Sequence, residues 1–151
     1  MTVKRATVAM NERSPRISVE QSECARLDER GRWHMTWQIH NLEKEAMTLR
    51  AAQMPHGKFK SEQRIFEKGI VVRAAGNAAI EFPVICQEAP GSVVDNAFLI
   101  LQVEWLQSAW RIFVRFQVAF DEAAEPRTRT EMISAHRIGF SAQSPRARYD
   151  G

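Results

Sequence analysis

"AFLILQVEWLQSAWRIFVRFQVAF", residues 97–120, is the most apolar stretch of the chain, and how it is read decides the fold. A transmembrane helix needs about 20 predominantly apolar residues. This run carries Gln102, Glu104, Gln107, Arg111, Arg115 and Gln117, and charges inside a bilayer are costly, so it does not read as a membrane span. The spacing of its apolar residues separates helix from strand. Leu99, Leu101, Val103 and Trp105 alternate with their neighbours, and so do Trp110, Ile112, Val114, Phe116, Val118 and Phe120. Period-two alternation of aromatic and β-branched residues is a strand signal.

The parity switches across "LQSA", Leu106–Ala109, which predicts a hairpin closed by a loop of those residues. Trp105 is then expected opposite Trp110, Val103 opposite Ile112, Leu101 opposite Val114 and Leu99 opposite Phe116, all on one face. The reverse face would pair Glu104 with Arg111, Ile100 with Arg115 and Gln102 with Phe113. A slip by one residue would turn every side chain to the wrong face.

Other segments alternate in the same way. Trp33, Met35, Trp37 and Ile39 share one phase, as do Met47, Leu49 and Ala51, and Ile80, Phe82, Val84 and Cys86. Residues 17–27 read as a strand that turns at Arg30-Gly31, and 69–74 as a brief strand before the Gly76-Asn77 turn. Pro83 cannot donate to a ladder, which marks its strand as edge-like or bulged. Residues 131–140 fit either a last strand or a helical turn. With no amphipathic helical pattern, seven or eight strands predict an all-β protein, an antiparallel β-sandwich. The chain has 151 residues, enough for one such domain with a proper core. The expected organisation is a basic tail over 1–14, a single β-sandwich over 15–141 and a second tail over 142–151.

Cys24, Trp37 and Cys86 follow one another with a spacing similar to the Cys–Trp–Cys pattern of immunoglobulin domains. The resemblance implies an immunoglobulin-like sandwich at the level of architecture. It departs from the family in that Val84 stands where a tyrosine would precede the second cysteine, and Pro83 interrupts that strand. A long hairpin also follows Cys86 where one strand would remain. Membership of the antibody family is therefore not expected, and the two cysteines are expected as free thiols. With two cysteines and no apolar run after the basic residues of the N-terminus, a reducing, cytoplasmic setting is the expectation.

Motifs for catalysis are not visible. The sequence has no glycine-rich phosphate loop, Cys-x-x-Cys pair or His-Glu-x-x-His motif. His34 and His40 stand six residues apart, roughly 20 Å along a strand at ~3.3 Å per residue, too far to share a metal. The expectation is a non-enzyme with no cofactor and no metal.

Two surfaces remain. The reverse face of the hairpin carries Phe98, Ile100 and Phe113 beside Arg111 and Arg115, the aromatic-plus-arginine composition of interface hot spots. It suits another protein or a homo-oligomer, unless residues such as Ile138 and Phe140 pack over it. The second surface is the Lys-rich stretch 55–69, read as a loop in which His56, Lys58, Phe59, Lys60 and Arg64 could hold a small ligand or a carbohydrate. A net charge of only +3 and the absence of a known RNA- or DNA-binding motif argue against nucleic acid, and no membrane partner is expected. The primary expectation is a non-catalytic interaction module, with the small-ligand or carbohydrate-binding domain as the alternative.

Overall fold

The computed structural model describes residues 13–28 and 30–139. They form eight antiparallel strands and no helix: β1 (Ile17–Arg26), β2 (Arg32–Asn41), β3 (Met47–His56), β4 (Phe59–Val72), β5 (Asn77–Ile85), β6 (Val93–Trp105), β7 (Ser108–Phe120) and β8 (Pro126–Arg137). The order across the sheet is β1-β2-β5-β4-β3-β6-β7-β8. The sheet curls until its two edge strands meet, giving a nearly closed barrel.

The period-two pattern explains the interior. Trp37, Phe82, Met35, Ile39, Leu49, Leu99, Leu101, Ile112, Val114 and Phe116 are all fully buried, each on the apolar phase of its strand. At the centre the Trp37 ring stacks on Phe116 with centroids 4.8 Å apart. Phe59 meets both rings edge-on at 6.4 Å, the offset geometry that aromatic quadrupoles favour. Each end of the barrel has tryptophan under arginine: Arg13 lies 5.0 Å over Trp105 and Arg137 5.4 Å over Trp110, and at the far end Arg26 lies 4.5 Å over Trp33. The indole N–H groups of Trp37, Trp105 and Trp110 are buried without a hydrogen-bond partner, a desolvation cost that ring packing must outweigh.

The central hairpin is present, but its register differs from the expected one. Val103, not Trp105, lies opposite Trp110, and Trp105 lies opposite Ser108. Glu104 faces Ala109, while Arg111 faces Gln102. The loop is two residues, Leu106 and Gln107, both left-handed at φ 51° and 65°. Two successive left-handed residues give a type I′ turn, whose twist matches that of the flanking strands. The register moves by two, so both faces keep the side chains expected of them. Leu-Gln carries none of the Asn-Gly chemistry that usually signals such a turn.

The stretch 55–69 is another departure. It is a hairpin, with β3 turning through Gly57-Lys58 into the long strand β4, and His56 opposite Phe59. The ladder then loses register: Leu49 pairs with Ile70 and Ala51 with Ile65, so β4 holds a bulge that ends at Gly69. Gly69 has φ +73°, and a Cβ there would lie 2.5 Å from Thr48 Cγ2, so both backbone and space require glycine.

The barrel has two thin seams. β4 and β5 share one bridge, Lys60 to Ile85, which leaves room for Pro83 in a strand almost without a ladder on that side. Between β1 and β8 side chains replace the ladder. Gln21 Nε2 donates to the Pro126 carbonyl at 3.1 Å, and Gln21 Oε1 accepts from the Thr128 N–H at 2.9 Å and from Thr128 Oγ1 at 3.0 Å. Thr130 Oγ1 adds a bond to the Val19 carbonyl at 2.9 Å. A β1 irregularity between Gln21 and Glu23 changes the phase of the strand, so that Cys24, like Ile17 and Val19, packs on the core.

Candidate functional site

The outer face of β3, β6, β7 and β8 carries the predicted contact residues. Ile100 lies directly opposite Phe113, and Phe98 opposite Arg115, whereas the expected register sets Ile100 opposite Arg115 and Phe113 opposite Gln102. The observed register draws the apolar residues closer together. Phe98 and Phe113 meet edge-on with centroids 6.2 Å apart, and His136 meets Phe113 edge-on at 5.5 Å. All three apolar residues are half-buried. Met132, opposite Arg115 on β8, is 51% exposed and extends the patch.

The two arginines differ in their surroundings. Arg115 is 3.8 Å from Glu131, which Arg129 also approaches at 3.7 Å; its Nε is buried without a hydrogen bond, since that separation is an ion pair only. Arg111 is exposed and has no hydrogen-bond or ion-pair partner among the described residues.

Beside Arg111 the face is indented. A hollow of about 310 Å³ opens where β3 carries two small residues, Ala51 and Ala52. Ala51 pairs with Gln102 because β3 is irregular between Leu49 and Ala51, which turns this alanine outward. Ala51, Ala52, Ile100 and Phe113 form the apolar lining, and Gln53, Gln63, Gln102 and Arg111 complete the wall. In the sequence Gln102 reads only as a cross-strand partner of Phe113, and Gln53 and Gln63 belong to no motif. An irregularity that turns Ala51 out of its expected phase leaves no local signal. A second concavity on the far side of Arg111 runs along Phe113, His136 and Ile138, and Ile138 is tied down by its N–H to the Ala109 carbonyl at 2.8 Å. Phe140 lies outside the described residues.

The second predicted site is placed differently. His56 Nδ1 accepts the Lys58 N–H at 3.0 Å within the β3–β4 turn. Phe59 is fully buried in the barrel centre, so its ring is not on a surface. Lys60 lies on the thin β4–β5 seam, and an Arg64 N–H donates across it to the Glu81 carbonyl. His56, Lys58, Phe59, Lys60 and Arg64 are therefore residues of a hairpin, not of a loop, and Phe59 belongs to the core.

Cys24 and Cys86 are both free thiols. Burial pushes each thiol up to about 12, with nearby Glu125 adding to it at Cys24, and Cys24 itself adding to it at Cys86. Cys24 lies on β1 and Trp37 on β2, with Cys86 just past β5. These three strands are neighbours, so the cysteines do not face each other from two opposed sheets. Among the described residues no group of three or more His, Cys, Asp and Glu is arranged to hold a metal ion, and no helix is long and apolar enough to cross a membrane.

No protein-family model, curated protein or solved structure matches the chain.

Proposed function

We propose that this chain is a non-catalytic interaction module that binds another protein, or a second copy of itself, through the face of Phe98, Ile100 and Phe113. The reading is carried by one observation. The barrel interior is already filled by the opposite phase of β6 and β7, yet their outer face sets Phe113 directly against Ile100 and edge-on to Phe98. Such a cluster on the water side adds nothing to the core, and clustered apolar surface marks interaction sites. Arg111 and Arg115 supply polar contacts at its rim.

The strand order supports a finer reading of the fold. β1-β2-β5 corresponds to strands A-B-E of an immunoglobulin-like sandwich and β4-β3-β6-β7 to C′-C-F-G, with β8 added. The single β4–β5 bridge is then the corner between two sheets. We place the protein in a reducing, cytoplasmic compartment, because two cysteines do not make a disulfide framework.

A photo-crosslinking phenylalanine analogue at position 113 of the full chain, expressed in its native cells, tests the interaction. An adduct to a protein is expected there, and none from the exposed control position Glu23 on β1. Equal yields at both positions, or none at either, overturn the proposal. Phe113→Glu should leave the fold intact and abolish the association. A variant that unfolds shows instead that Phe113 is covered by its own chain, as a buried unpaired charge is strongly destabilising.

A further inference from the structure

On the outer face of these strands most long polar side chains have a hydrogen-bond or ion-pair partner. Arg50 pairs with Glu104 at 2.9 Å, Gln117 donates to Asp95 at 3.1 Å and accepts from Arg129 at 3.3 Å, and Arg115 and Arg129 both face Glu131. The exceptions converge on one place. Gln53, Gln63, Gln102 and Arg111 border the hollow over Ala51, and none of their side chains has a hydrogen-bond partner among the described residues. Gln53 and Gln102 are half-buried, where an unused donor or acceptor costs more than in open water.

We infer that this hollow binds an extended, acidic peptide segment of a partner protein, an inference that rests on the interaction-module reading. Three features fix the chemistry. A primary amide offers the donor and acceptor of a peptide group, and this chain already uses one that way. At the β1–β8 seam Gln21 takes the place of a strand, donating to the Pro126 carbonyl and accepting the Thr128 N–H. Three such amides along one hollow match the backbone of an extended segment. Arg111 is the only charged residue lining the hollow among the described residues, and an unpaired guanidinium calls for a carboxylate. The floor of Ala51, Ile100 and Phe113 takes an apolar side chain, and a volume of about 310 Å³ lies at the small end of ligand clefts, ~300–1,000 Å³. A sugar would stack on an open aromatic face. The Phe113 ring is instead engaged in T-shaped contacts with both Phe98 and His136, which favours the peptide.

The test is a side-chain-resolved NMR titration of the full chain with three probes: a degenerate peptide pool of Asp, Glu, Leu and Phe, a matched pool of Lys, Arg, Leu and Phe, and a mixture of neutral oligosaccharides. The acidic pool should give saturable shifts of the Gln53, Gln63 and Gln102 amides and of Arg111 Nε–H. The basic pool should bind at least ten-fold more weakly, and Arg111→Gln should weaken the acidic pool to a similar degree in a folded protein. Equal response to both peptide pools, shifts elsewhere on the barrel, no response, or a response to oligosaccharides alone overturns the inference. If Phe113→Ser abolishes peptide binding and Arg111→Gln does not, the contact face stands and the acidic class falls. A negative titration beside a crosslink at position 113 has the same meaning.

Discussion

Removing the Gln21 amide should open the barrel at its β1–β8 seam. Gln21 makes three hydrogen bonds there, at 3.1, 2.9 and 3.0 Å, and no backbone ladder joins the two strands among the described residues. Each bond contributes about 0.5–1.5 kcal/mol net. Gln21→Ala loses all three and leaves the Thr128 N–H and the Pro126 carbonyl, both formerly paired, to be satisfied by water. The expected loss is about 2–3 kcal/mol, or on the order of 5–10 °C in melting temperature for a domain of this size. Gln21→Met keeps the length of the side chain and removes only the polar groups, so it should lose nearly as much. Urea denaturation gives the free energy, with an unchanged slope showing that compactness is preserved. Hydrogen exchange at the Thr128 amide reports whether the seam itself has opened. If both variants lose less than about 0.5 kcal/mol, within the scatter of ordinary surface substitutions, the side-chain seam is not what closes the barrel.

Three further outcomes are expected. Replacing Leu106-Gln107 by Asn-Gly should stabilise the protein by about 1–2 kcal/mol, because left-handed backbone costs ordinary residues about that much and Asn-Gly suits a type I′ turn; a fall in the urea midpoint would contradict the turn. Burial works to raise the Glu43 pKa, but bonds from the Arg16 side chain and N–H and from Arg13 outweigh it and hold this carboxyl below its usual range. Its contribution is therefore fully present above the unfolded glutamate value of ~4.3 and is lost as pH falls through the lower folded value. The stability gap between wild type and Glu43→Gln should narrow from pH 7 towards pH 2, and a constant gap would show that charge is not involved. Finally, with both thiols pushed up to about 12, the native protein at pH 8 should react slowly with a thiol reagent, and the denatured, unreduced protein should give two thiols. Rapid native labelling, or a count of zero, would contradict the buried-thiol geometry.

Alternation along the sequence determined which residues of β2, β6 and β7 enter the core, because a strand turns successive side chains to opposite faces whatever its neighbours are. It therefore marked Phe98, Ile100 and Phe113 as apolar residues on the outer side. The same logic left the pairing of Phe113 with Ile100 undetermined: a register change of two keeps both faces, and the Leu106-Gln107 turn has no sequence signature. Tertiary structure also moved Phe59 from an imagined loop to the barrel centre, where Trp37 and Phe116 supply its contacts. The hollow was invisible for a related reason. It depends on an irregularity that turns Ala51 outward and on glutamines from three different strands, and such a meeting is set by register and bulges across the sheet. Periodicity is a property of one strand and can be read locally; the neighbours of a side chain belong to several strands and are settled only when the sheet assembles.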